Sequence, residues 1–175
     1  MASASKRRIP MTVTFLEMNA KPAALPPPQP RGKVALLRAE KPPVHFYRYL
    51  YDTIGNDYYW VDRRKPSPEV LTQVIHDPLN QLFVLYTDGN PAGMAELDFR
   101  KTGICNISYF GLMPEAIGRR LGFFFLYHTC INAWLQPIER LTINTCTLDH
   151  PRALPLYQRM GFRPYDRQER FVELP

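Results

Sequence analysis

The stretch Tyr109–Gly122 reads YFGLMPEAIGRRLG and holds the residues best suited to chemistry. An apolar, strand-like run ends, a loop carries Gly118, Arg119, Arg120 and Gly122, and an apolar helical run follows at once. Free backbone N–H groups at a helix start, reinforced by the helix dipole, make a site for an anion. Two adjacent arginines add charge-assisted donors. The physics therefore points to a phosphate or diphosphate, with a solvent-exposed basic turn as the alternative for the loop taken alone.

A second stretch, Leu148–Phe162, reads LDHPRALPLYQRMGF. Together the two resemble the GNAT superfamily of acyl-CoA N-acyltransferases. That family's loop pattern, Gln/Arg-x-x-Gly-x-Gly/Ala, falls on Ile117, Gly118, Arg119, Arg120, Leu121 and Gly122, ending against Phe123. Its Asn-x-x-Ala-x-x-x-Tyr pattern with a following Gly-Phe falls on His150, Ala153, Tyr157, Gly161 and Phe162. Three positions depart: Ile117 stands for Gln or Arg, Arg120 for a glycine, and His150 for Asn. Arg120 is expected to turn its guanidinium outward onto a phosphate.

The resemblance implies acetyl-CoA as acyl donor and no metal. It implies a pantetheine arm along the main chain of Phe110, Gly111 and Leu112, with the Leu112 N–H near the thioester carbonyl. Tyr157 matches the family's tyrosine that protonates the departing thiolate. An amine acceptor must first lose a proton, and an alkylammonium titrates near ~10. Glu96 is the candidate base, acting through water, or else a sheet-face carboxylate paired with an arginine. Asp98, two residues on, is second choice and a candidate substrate contact. In the family the first helices wall off the acceptor, which here gives Tyr47, Tyr51, Tyr59 and Trp60; such aromatics suit a cationic amine. Phe46 and Tyr49 are expected in the core, and Arg63, Arg64 and Lys65 as a solvated charge run.

These residues need elements to hold them. Thr12–Met18 alternates like a short strand, and Lys33–Glu40 is another. Val44–Ile54 has helical spacing at Phe46, Tyr49, Leu50 and Thr53. Ser67-Pro68 opens a second helix as N-cap and first residue, with Val70, Leu71, Val74 and Ile75 as its buried face. Gln81–Thr87 and Gly93–Phe99 flank Asp88-Gly89-Asn90 as a hairpin, and Ile104–Leu112 follows. Phe123–Leu135 is a helix apolar on nearly every side. Arg140–Leu148 is a β-branched strand, Pro151–Met160 a short helix, and Phe162–Leu174 a last strand or strand pair. The order predicts an α/β fold: a mixed, mostly antiparallel twisted sheet with helices on both faces, splayed at the cofactor strands as the resemblance implies.

The 175 residues suit one globular domain, with residues 33–175 as that domain. Residues 1–32 divide into a basic tail over 1–9, a short strand, and a proline-rich connector. Eight of the 18 prolines fall in the first 43 residues, so their excess belongs to that segment. No apolar run approaches the ~20 residues that cross a bilayer. No apolar stretch follows Lys6, Arg7 and Arg8, which argues against a secretory signal. Three widely spaced cysteines fit neither a disulfide framework nor a zinc site, so a reduced, cytoplasmic protein is expected. The net charge of +6 is dispersed and without a nucleic-acid motif, so no specific nucleic acid is expected. The partner expected is a small-molecule or peptide amine, and a homodimer is compatible with such folds. A catalytically silent acyl-CoA-binding module of the same fold is the rival reading.

Overall fold

The computed structural model describes residues 7–174. Seven strands form one sheet: β1 (Arg8–Met18), β2 (Val34–Ala39), β3 (Asn80–Thr87), β4 (Asn90–Asp98), β5 (Ile104–Leu112), β6 (Arg140–Cys146) and β7 (Arg163–Glu173). Four helices accompany them: α1 (Val44–Gly55), α2 (Pro68–Ile75), α3 (Leu121–Ala133) and α4 (Ala153–Met160). The sheet order is β2-β3-β4-β5-β6-β1-β7. Every neighbouring pair is antiparallel except β5 and β6, which are parallel. A strand–helix–strand unit produces that parallel pair, as a crossover connection must.

The amino-terminal segment differs from its reading as a tail and short strand. Arg8 and Ile9 already belong to β1, an eleven-residue strand inserted between β6 and β7; residues 1–6 lie outside the described residues. Strand alternation is local, but which strand pairs with which is decided by contacts far apart in sequence, so nothing in Arg8–Met18 reveals this place. The carboxy-terminal stretch is one long strand, β7, paired only with β1.

Helices cover both faces. A Cβ at Gly111 would overlap Ile54 of α1, while one at Gly93 would sit 2.9 Å from Phe125 Cε1 of α3. Gly93 pairs with Leu112 and Gly111 with Met94 on adjacent strands, so the two glycines look to opposite sides. Within α1 the buried face is Tyr47, Leu50, Tyr51 and Ile54. The expected core face is therefore one residue out of phase: Tyr49 is 50% exposed and Phe46 half-buried. Aromatics run round the whole helix, which blurs its period. In α2, Leu71 and Ile75 are buried, Val74 is half-buried and Val70 is exposed; Ser67 caps the helix as expected, accepting from the Val70 N–H.

Candidate active site

Strand β5 pairs with β6 only over Ile104–Ile107, opposite Arg140–Ile143. On the other side, Glu96 faces Tyr109 and Leu97 faces Ile107, which leaves Ser108 as a bulged residue. A bulge bends its strand and re-aims the residues beyond it. From Ser108 onward β5 leaves β6, while β6 stays zipped to β1 as far as Val13 and Cys146. The sheet thus opens into a cleft. A cavity of about 500 Å³ fills it, with Ser108, Tyr109 and Phe110 on one wall and Ile143, Asn144 and Cys146 on the other. A second cavity of about 250 Å³ shares Tyr58, Phe110, Gly111, His150, Ala153 and Tyr157 with the first, so the two adjoin along these residues.

The smaller cavity ends at the start of α3. Here Ile117, Gly118, Arg120, Leu121 and Gly122 line it, with Leu112 beside them. The Ile117 and Arg119 amides donate to the Pro114 and Ala116 carbonyls at 3.3 and 3.4 Å, and α3 begins without a side-chain cap. An uncapped helix start presents N–H donors and the positive end of the dipole. Gly118 (φ +84°) and Arg120 (φ +62°) both adopt left-handed backbone. That explains why glycine suits position 120, and the arginine there carries the strain of a Cβ in this region.

Two residues expected at the cofactor turn their side chains elsewhere. Arg119 donates to Thr87 Oγ1 at 3.3 Å and lies 3.8 Å from Asp88 Oδ2, so it is tied to the β3–β4 turn. Phe123 packs under the Arg159 guanidinium, 4.4 Å from its ring centre. Beyond the loop, the proline-rich connector comes alongside. Pro28, Pro30 and Arg31 border a hollow of about 540 Å³ with Arg119 and Arg120. Arg31 is a basic residue at this end that the sequence did not single out, because its segment has no periodicity to place it.

Tyr157 stands where the two cavities join. It is buried on α4, edge-on to Phe110 at 6.2 Å and to Phe162 at 6.3 Å. Burial, and after it the nearby Asp149 charge, pushes its hydroxyl well above the ordinary tyrosine range, so the proton stays on oxygen at neutral pH. Asp149 accepts from Thr145 Oγ1 and from the Cys146 N–H, both at 2.8 Å. His150 Nδ1 takes the Arg152 N–H at 3.1 Å and its ring meets Tyr58 edge-on.

Tyr51, Tyr59 and Trp60 line the larger cavity. Tyr47 does not: it is fully buried and its hydroxyl donates to Glu96. Glu96 is buried too, and its other oxygen accepts from Arg63. Of the two readings of Glu96, the geometry matches the paired sheet-face carboxylate. Asp98 lies away from the cleft, holding Arg100 at 2.9 and 2.6 Å; that hydrogen bonding keeps its carboxyl below the usual range. Arg63, expected as solvated, instead reaches the cavity wall. Met11 and Val13 from β1 and Arg170 and Val172 from β7 complete that wall. No motif marks them, since only the pairing of β1 with β7 brings them there.

No curated protein matches the chain. Among solved structures it is similar to a GCN5-related N-acetyltransferase from Kribbella flavida, at 18% identity and TM-score 0.60, covering 88% of this chain and 56% of that one. A GCN5-related N-acetyltransferase from Sphaerobacter thermophilus gives 18% identity and TM-score 0.62, covering 97% and 53%. An aminoglycoside acetyltransferase from an uncultured soil metagenomic sample, in complex with sisomicin, gives 11% identity and TM-score 0.60, covering 73% and 87%. The chain thus spans little more than half the length of the first two. At these identities the likeness is one of fold. The model of the Acetyltransferase (GNAT) family matches residues 47–162, well over half of the sequence, and the chain therefore belongs to the GNAT acetyltransferase family.

Proposed function

We propose that this chain transfers an acyl group, acetyl in the first instance, from acyl-CoA to an amine. The observation that carries the reading is the pair of adjoining cavities that reach from the uncapped start of α3 to the gap between β5 and β6, with Tyr157 lining both. When bound, acyl-CoA supplies a thioester whose carbonyl carbon an amine nitrogen attacks, the CoA sulfur leaving as thiolate.

The residues present fit that group. The amides of Gly118 and of Arg120 to Phe123 would hold the diphosphate, the Arg119 amide being taken by the Ala116 carbonyl, and Arg120 and Arg31 stand where further phosphate charge would be met. The β5 edge beyond Ser108 has no β6 partner, so its main chain can bond an extended arm as an added strand would. Tyr157, kept protonated by its surroundings, donates its proton to the thiolate. Both Glu96 oxygens are already taken by Tyr47 and Arg63. Its part is to hold Arg63 on the acceptor wall, while the ammonium proton leaves through water in the open cavity. The wall of Tyr51, Tyr59 and Trp60 suits a cationic or aromatic-flanked amine. Free Cys105, Cys130 and Cys146 accord with a reducing, cytoplasmic setting.

The rival reading, an acyl-CoA binder without turnover, is motivated by the left-handed Arg120 at the loop. Calorimetry with acetyl-CoA, followed by thiol release with monoamine, polyamine, aminoglycoside and peptide acceptors, separates the two. Release that is lost in Tyr157→Phe while binding persists supports the transferase. Binding with no release under any acceptor supports the rival, and no binding overturns both.

A further inference from the structure

Strand β7 is an edge of the sheet, and Arg163–Phe171 is exposed along its whole length. The Leu174 N–H donates to the Arg7 carbonyl on the β1 side. By the alternation of an antiparallel ladder, the amides of Arg167, Glu169 and Phe171 then point outward, away from β1. An open edge of this length is a template for another strand.

Its sequence says which strand. Centred on Gln168, the run Asp166-Arg167-Gln168-Glu169-Arg170 is its own complement when reversed: Arg167 falls opposite Glu169 and Asp166 opposite Arg170. Farther out, Tyr165 falls opposite Phe171 and Arg163 opposite Glu173. Within one chain Gln168 already bridges the outer pair, donating to Asp166 Oδ2 at 2.7 Å and accepting from Arg170 Nη2 at 2.6 Å. Pro164 and the bulged Tyr165, which fits between the Phe15–Asp166 and Leu16–Pro164 pairs, limit regular pairing to the five central residues. These features discourage a foreign strand and leave the self-complementary core available.

We propose that two copies of this chain pair β7 with β7, antiparallel about a two-fold axis at Gln168, joining two sheets into one. The axis passes through a non-hydrogen-bonded pair, which places the outward amides of Arg167 and Glu169 against the carbonyls of Glu169 and Arg167 of the partner subunit. Arg170, which lines the larger cavity, then meets Asp166 of the partner subunit, so a partner carboxylate sits against one residue of each cavity wall. This assembly holds whether or not the cleft turns over acyl-CoA.

Sedimentation of the full chain is expected to show a species of twice the 20.4 kDa chain mass. Arg167→Glu sets like charges opposite each other twice and is expected to weaken the dimer about tenfold. The double variant Arg167→Glu/Glu169→Arg restores opposite charges and should recover the dimer. A wild-type monomer at every concentration overturns the proposal, as does a dimer indifferent to Arg167→Glu or a loss that the double variant fails to reverse. Should either variant melt too low to compare, hydrogen exchange on the wild type decides instead. Arg167 and Glu169 amides protected only in concentrated protein support the pairing, and equal exchange at all concentrations overturns it.

Discussion

Arg63 reaches back from the loop after α1 to grip Glu96 in the middle of β4, where the carboxylate has no contact with solvent. Removing one partner of a buried pair strands the other charge, which costs about 3–5 kcal/mol. Arg63→Ala should therefore lose about that much stability in urea unfolding. Arg63→Met with Glu96→Leu and Tyr47→Phe should recover most of it, because neither a charge nor the buried Tyr47 hydroxyl is left unpaired.

Tyr157→Phe keeps the ring against Phe110 and Phe162 and removes only the hydroxyl. Loss of a general acid lowers kcat by about 10²–10⁴-fold, with the KM for acyl-CoA little changed. Since the phenol is held above its ordinary value near ~10, the wild-type pH profile should rise as the amine loses its proton. That rise should continue through about pH 10, near which an alkylammonium titrates, with no alkaline limb from Tyr157. Steady-state kinetics across pH tests both statements.

Arg120→Gly relieves a left-handed Cβ while giving the unfolded chain more freedom, and the balance is a gain of about 0.5–1 kcal/mol. The same change removes a guanidinium from the loop, so acyl-CoA affinity should fall severalfold. Thermal melts and calorimetry check the two effects separately; tighter binding by the variant would mean that the side chain crowds the site.

Gly111 lies under Ile54 and Trp60, and an added methyl would overlap Ile54 and come within 3.4 Å of the Trp60 ring. Overpacking of this kind costs about 1–3 kcal/mol. Gly111→Ala should show that loss in denaturant melts, together with reduced acceptor turnover, because Trp60 also forms the cavity wall.

Burial raises the hydroxyls of Tyr47, Tyr51, Tyr109 and Tyr157 and the thiols of Cys105 and Cys130. A group whose folded value lies above its unfolded one contributes fully below the unfolded value and loses that contribution as pH climbs past it. With unfolded values near ~8.5 for thiols and ~10 for tyrosines, the melting temperature should be level through neutral pH. It should then drop from about pH 9 upward, as differential scanning calorimetry would show.

What could be read in advance was whatever the chain writes locally. The glycine–arginine loop and the Ala153…Tyr157…Gly161-Phe162 frame are contiguous, so their residues meet at one cleft without help from distant segments. The parallel β5–β6 pair follows from the helix between them. Side-chain direction was less legible. Arg119 is drawn to Thr87 and Asp88 on another turn, and Tyr47 is drawn inward by Glu96, a partner 49 residues away. The far wall of the larger cavity was the least legible part, because Met11 and Arg170 become neighbours only when β1 pairs with β7.

The placement of β1 also bears on how the molecule comes into being. Thr12 bonds to Thr147 and Glu169, 135 and 157 residues downstream. As the ribosome extends the chain, Val13, Phe15 and Leu16 must wait for neighbours not yet made. Contacts of such high sequence separation slow folding and leave an unpaired apolar strand at risk of aggregation. β2 through β5, joined by near neighbours, can assemble meanwhile, so insertion of the first-made strand would be the closing event of folding and the one that gives the cleft its far wall.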